Sequence, residues 1–155
     1  MAKKAKKSSK AKAKKRTAKS AKPAKRAASA APSIEAIARK IVRATQQPGF
    51  PFLTLYAPDC SSQEATGEPV HGHAGIEAKL KAWDQVQMGM KSTARNVWTG
   101  KNTICIEWDS EVQMRDGRLV NLREIAVHEI KGGKIQSERY YYNPMALAPA
   151  ASTPS

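Results

Sequence analysis

Residues 102–143 read NTICIEWDSEVQMRDGRLVNLREIAVHEIKGGKIQSERYYYN. Three runs rich in Ile, Val, Trp, Tyr and Thr are separated by Asp116-Gly117 and Gly132-Gly133, and a fourth, STARNVWT at 92–99, precedes Gly100-Lys101. Short Gly-containing breaks between β-branched and aromatic runs are hairpin signals, so the stretch predicts a four-stranded antiparallel meander. Two-residue turns pair Thr99 with Asn102, Arg115 with Arg118 and Lys131 with Lys134, and this register sorts the side chains between two faces. One face collects Val97, Ile104, Ile106, Trp108, Val112, Met114, Leu119, Ile125, Val127, Tyr140 and Tyr142. It is the expected core side. The other collects Cys105, Glu107, Asp109, Glu111, Glu124, His128, Ser137, Arg139 and Tyr141, and is expected to meet solvent or a partner subunit.

On the apolar face the cross-strand rows run Arg95, Ile106, Val127, Glu138, then Trp108, Ile125, Tyr140, then Ser110, Arg123, Tyr142. An apolar concave surface with a few convergent polar groups is what a small-molecule pocket requires. Glu138, Arg123, Tyr140 and Tyr142 are the polar candidates, with Tyr56, Trp83 and Trp108 as apolar walls. Each has a plainer reading: the arginines offset Glu138, and the aromatic rings pack the core.

Upstream, Ser33 is a helix N-cap and SIEAIARKIVRA sets Ile34, Ile37, Ile41 and Val42 on one stripe before QQPGFP ends it. FPFLTLYAPD and AGIEAKLKAWDQ, the latter with Ile76, Leu80 and Trp83 at helical spacing, are read as two further helices. The expected fold is therefore α+β, three N-terminal helices against a curved antiparallel sheet over 33–144, with a frayed end from 145 to 155.

The 155 residues carry a net charge of +14, but residues 1–32 hold 13 of the 27 Lys and Arg and no acid. That stretch has no apolar side chain larger than Ala after Met1, so it cannot bury enough surface to offset chain entropy and is expected to be disordered. Its Lys/Ala/Pro/Ser composition resembles the tails of linker histones and of histone-like bacterial proteins. That resemblance implies phosphate neutralisation on DNA or RNA through Lys3, Lys4, Lys6, Lys7, Lys14, Lys15, Arg16, Lys25 and Arg26. A solubilising or non-specific polybasic tail, or a Lys-rich variant of an organelle transit peptide, is the alternative.

Two cysteines form no disulfide framework or zinc site, no signal-peptide apolar region follows the basic start, and no run approaches the roughly 18 residues of a membrane span. The chain is read as reduced, cytoplasmic and nucleoid-associated if the tail engages DNA. His71, His73 and His128 have no metal-ligand spacing, and no nucleophile-elbow motif occurs. No metal or cofactor is expected.

Helices followed by a long meander ending in GGKIQSERYYYN, together with LYAPDCSSQEATGEPVHGHAGIEA, resemble the nuclear-transport-factor-2-like superfamily, which includes SnoaL-like cyclases, ketosteroid isomerases and limonene-epoxide hydrolases. The resemblance implies a cone-shaped sheet, a small hydrophobic ligand, a homodimer, and proton transfer, cyclisation or isomerisation on a carbonyl compound. The isomerases' general-base carboxylate corresponds to Glu64, with Glu138 as a second carboxylate. Their acidic donor falls near Ile125, and their helix-one tyrosine falls near Lys40 or is absent. The hydrolases' last-strand aspartate falls at Tyr140 and their arginine near Glu107, so neither complete residue set carries over. The alternative reading is a dimeric scaffold whose tail holds nucleic acid.

Overall fold

The structure, a computed structural model, describes residues 31–148. The tail residues expected to contact nucleic acid lie outside that range. Helix α1 spans Ile34–Gln46, β1 Tyr56–Gln63, β2 Val70–His71, α2 Gly72–Val86, β3 Gln87–Thr99, β4 Thr103–Met114, β5 Leu119–Lys131 and β6 Lys134–Tyr142. The six strands make one mixed sheet in the order β2-β1-β6-β5-β4-β3, with β1 running parallel to β6 and every other neighbour antiparallel. No helix among the described residues is long and apolar enough to cross a membrane.

Ser33 caps α1 as its sequence predicts, its hydroxyl accepting from the Ala36 amide at 3.2 Å. The helix buries Ile37, Ala38, Ile41 and Ala44 against β3 and β4. The second expected helix does not form. Phe52–Leu55 makes one 3-10 turn and the chain then extends into β1, because Pro58 removes an amide that a helix would need and Tyr56 pairs with Ile135 of β6. Among the described residues two α-helices, not three, therefore cover the sheet.

The meander forms, but its middle strand is turned over. Gln113 pairs with Leu119, Met114 donates to the Arg118 carbonyl at 2.9 Å, and the Gly117 amide donates to the Met114 carbonyl at 3.1 Å. The loop is thus three residues, Arg115-Asp116-Gly117, with Gly117 at φ +90° in the left-handed region. One residue of slip moves all of β5 to the opposite face. Val120, Leu122, Glu124, Ala126 and His128 point to the core side, whereas Leu119, Ile125 and Val127, expected there, do not. A second irregularity at Glu129/Ile130 shifts the β5–β6 pairing by one, so Glu138, Tyr140 and Tyr142 keep the face their sequence predicts. At the β3–β4 hairpin Thr99 pairs with Ile104 instead of Asn102, and a bulge lies between Ala94 and Asn96.

Two apolar clusters fill the inner side of the sheet. The larger unites α1, Ile76 of α2 and the sheet residues Ile104, Ile106, Trp108, Ala126 and Ile135. The smaller, at the other end, gathers Val112, Met114, Val120 and Leu122, with Trp83, Tyr142, Ala146 and Leu147 packed against it. Beyond β6, Pro144–Ala146 makes a 3-10 turn, and the Arg118 guanidinium donates to the Ala148 carbonyl at 2.7 Å.

Candidate functional site

Polar side chains occupy the inner side between α2 and the sheet. Their centre is Glu138, 1 % exposed, which β6 aims at α2 from beside Ser62 of β1. Tyr56 Oη donates to its Oε2 at 2.9 Å and Ser62 Oγ to its Oε1 at 2.7 Å. Lys79 on α2 bridges three elements. Its Nζ meets Ser62 Oγ at 2.6 Å, Glu64 Oε1 at 2.7 Å and Glu138 Oε1 at 3.4 Å, and stands 4.2 Å above the Tyr140 ring. Ser62 Oγ and Glu138 Oε1 accept from the ammonium with hydrogen-bond geometry, and Glu64 is held at ion-pair distance. His128 on β5, 2 % exposed, places Nδ1 3.3 Å from Glu138 Oε2. That is ion-pair distance without hydrogen-bond direction, and neither ring nitrogen has a hydrogen-bond partner among the described residues.

The surroundings set distinct protonation states. Burial alone pushes the Glu138 carboxyl up, but contact with His128, the Lys79 charge and the Ser62 hydroxyl outweigh it and hold the group at about 2. Glu124 lies in the row Trp108–Glu124–Tyr142 and is half-buried, with no ion-pair or hydrogen-bond partner among the described residues. Burial, reinforced by the Glu64 and Glu138 charges and only partly offset by Lys79, pushes it up to about 7. Burial and the Glu64 charge lift Tyr142 to about 12. Burial first and the Glu138 charge second raise Tyr56 and Tyr140 well above the ordinary phenol value, so these hydroxyls stay protonated and able to donate.

Of the residues the sequence singles out, Tyr56, Glu64, Glu138 and Tyr140 come together around Lys79. Tyr142 packs, like Trp83, on the second apolar cluster. Trp108 is 3 % exposed in the main core. Arg123 does not join them. With β5 turned over, its side chain is 79 % exposed on the outer face, 4.0 Å from Asp109. Sequence reasoning passed over Ser62, Lys79, Glu124 and His128. Ser62 and Lys79 sit in stretches with no motif of their own, whereas the Asp-Gly of a three-residue loop was a signal that would have turned Glu124 and His128 inward. Among the described residues no cluster of three potential metal ligands occurs.

Outside this cluster, an open groove of about 420 Å³ crosses the outer face between Lys91, Arg95, Glu111 and Arg123. It is polar and shares no residue with the inner site. A smaller hollow of about 170 Å³ lies between α1 and β6, beside Lys40 and Gly133.

Comparison with known proteins agrees with this architecture. Residues 49–138 match the SnoaL-like domain family. No curated protein matches the chain. A Mesorhizobium loti structure described as a SnoaL-like polyketide cyclase superposes with a TM-score of 0.61 at 23% identity, covering 71% of this chain and 99% of that one. A Jannaschia protein of the same description gives 0.67 at 14% identity, covering 77% and 93%. A Catenulispora acidiphila protein with a ketosteroid-isomerase-like fold, solved with trimethylamine, gives 0.66 at 19% identity, covering 76% and 97%. The fold is thus NTF2-like, and the chain belongs to the SnoaL-like domain family.

Proposed function

We propose that this domain binds a small hydrophobic carbonyl compound on the inner side of the sheet and moves a proton beside the carbonyl, with Glu124 as the exchanging group. The observation that carries this reading is Glu124 itself: a half-buried carboxyl with no protein partner among the described residues, held near 7 between Trp108 and Tyr142. A general base works best when its pKa lies near the working pH, because it is then both ionised often enough and basic enough. The Glu124 carboxylate takes the proton from the carbon next to the carbonyl, the electron pair moves onto the carbonyl oxygen, and the resulting acid returns the proton to carbon. Tyr140 and Tyr142, kept protonated by their surroundings, supply donors for that oxygen.

Glu138 then serves as a positioning residue, since its oxygens are engaged by Tyr56, Ser62 and Lys79. Glu64, with a side chain 37% exposed, is the second carboxylate at the ligand's edge, fixed by Lys79. Trp83 and Tyr142 offer the apolar wall. Solvent deuterium entering the methyl group of 2-acetylnaphthalene, followed by NMR, tests the reading. Glu124→Gln should slow exchange by about 100-fold or more. Equal exchange with both proteins, or exchange no faster than buffer, refutes it.

The outer face supports a homodimer. Cys105, Ile125 and Val127 are half-buried there beside exposed Trp98 and Tyr141, and Arg95, Asp109 and Arg123 supply both signs of charge to a two-fold partner. Glu124 is absent from this face, which lessens the like-charge repulsion its sequence suggests. A light-scattering mass equal to one 16.9 kDa chain would exclude the dimer.

A further inference from the structure

Two hairpin turns and the start of α1 meet at one end of the sheet. The Ile130 amide donates to the Asn102 carbonyl at 2.7 Å, which sets the β3–β4 turn beside the β5–β6 turn and brings Lys101 next to Lys131. Lys131 pairs with Lys134 across the second turn. Pro32, just ahead of α1, lies against Gly133, where an added Cβ would stand 3.4 Å from the proline Cγ. Lys40 of α1 and Thr54 border the same hollow as Gly133, and the Lys134 ammonium donates to the Thr54 carbonyl. Lys40, Lys101, Lys131 and Lys134 are all exposed, and none of them has an ion-pair partner among the described residues. Of the acids here, Glu129 is already held by Arg139 at 3.1 Å, and Glu35 stands in the first turn of α1 with Arg39 one turn on. At the opposite end of the strands the cations are engaged within the protein, Arg118 by Asp116 and Arg115 by the Asp84 carbonyl.

We infer that this end of the folded domain is a docking surface for the phosphate backbone of double-stranded nucleic acid, with Lys40, Lys101, Lys131 and Lys134 as its contacts. The position of Pro32 ties it to the basic stretch that precedes α1, since residues 1–32 hold 13 Lys and Arg and no acid. Six residues separate Arg26 from Pro32, so chain geometry keeps that arginine within about 22 Å of the end face. A duplex carries one charge per about 1.7 Å, so a stretch of that length presents roughly a dozen phosphates to the two sets of cations at once. Lysines meet phosphates as point charges without the paired donors of arginine, and no base edge is read by such contacts. Binding is therefore indifferent to sequence, and the lysines that the fold spaces apart add phosphate contacts to those of the tail.

The test is the salt dependence of binding by the full chain, read by fluorescence anisotropy on a labelled duplex of about 24 base pairs between about 50 and 200 mM NaCl. Lys40→Gln, Lys101→Gln, Lys131→Gln and Lys134→Gln, made together, should lower the logarithmic slope by about 0.9 per lysine, about 3.6 in all. Over that fourfold rise in salt the unaltered chain should then lose roughly 150-fold more affinity than the variant. Changing the same four positions to Arg should keep the slope, and Lys81→Gln with Lys91→Gln, exposed cations elsewhere, should leave it within about 0.5. A slope that falls by less than about 1 in the fourfold Gln variant overturns the surface and leaves binding to the tail alone. An equal loss per charge from the Lys81 and Lys91 changes overturns it in favour of net charge. Absence of binding to the duplex overturns surface and tail together, and a loss seen on phosphatidylglycerol vesicles but not on the duplex overturns the choice of nucleic acid.

Discussion

Replacing Glu138 by Gln keeps the side-chain shape and removes the charge at the centre of the inner cluster. The wild-type carboxyl is held at about 2 against an ordinary 4.5, a difference of about 2.5 units, which by linkage corresponds to about 3 kcal/mol of stability at neutral pH. The substitution also deprives Lys79 and His128 of the acid they face, and breaking a buried pair from one side typically costs about 3–5 kcal/mol. Urea unfolding followed by circular dichroism at pH 7 should therefore show Glu138→Gln less stable by about 3 kcal/mol with an unchanged slope. A depressed carboxyl stabilises fully above its unfolded value and loses that contribution as pH falls toward its folded value. The gap between the two proteins should accordingly narrow below pH 4.5, with less than half of it left at pH 3. A gap below about 0.5 kcal/mol at pH 7, or one that does not shrink on acidification, would refute the assignment of Glu138 as a stabilising anion.

Glu124 should behave in the opposite sense. Its carboxyl is raised to about 7, so it favours folding while protonated and that benefit is lost as pH rises through 7. Glu124→Gln should gain on the order of 2 kcal/mol at pH 8 and almost nothing at pH 4.5, read from urea midpoints, and an equal effect at both would count against the raised pKa. Gly117→Ala places a Cβ at φ +90° and should cost about 1 kcal/mol by thermal unfolding; a neutral result would mean that the loop has another geometry.

Much of the fold was legible because its signals are local. The Ser33 cap, the α1 stripe, the four meander strands and their Gly-containing breaks each depend on neighbouring residues, and each appears where expected. What was not legible depends on counting across a turn. Asp116-Gly117 suits a two-residue or a three-residue loop, and the choice decides which of two alternating sets on β5 faces inward. Both sets contain apolar and polar residues, with Leu119, Ile125 and Val127 in one and Val120, Leu122 and Ala126 in the other, so hydrophobicity did not decide between them. Glu138, Tyr140 and Tyr142 were found because a second slip restored their strand, whereas Arg123 was lost and Glu124 missed. The turn at Phe52–Leu55 was misjudged because short apolar runs do not separate helix from strand. Lys79 acquires its place only where its own helix meets β1 and β6, whose Ser62 and Glu138 lie 17 and 59 residues from it in sequence.

The paired slips of β5 have a consequence for how such a domain can change. Reading frame, not side-chain identity, decides whether Glu124 and His128 or Arg123 and Val127 line the interior. Shortening the Arg115-Asp116-Gly117 loop by one residue, with a compensating change at Glu129/Ile130, would exchange an acidic lining for an arginine-bearing one without substituting any residue from Leu119 to His128. The charge of the lining in this architecture is therefore open to inversion by coupled one-residue changes of loop and bulge.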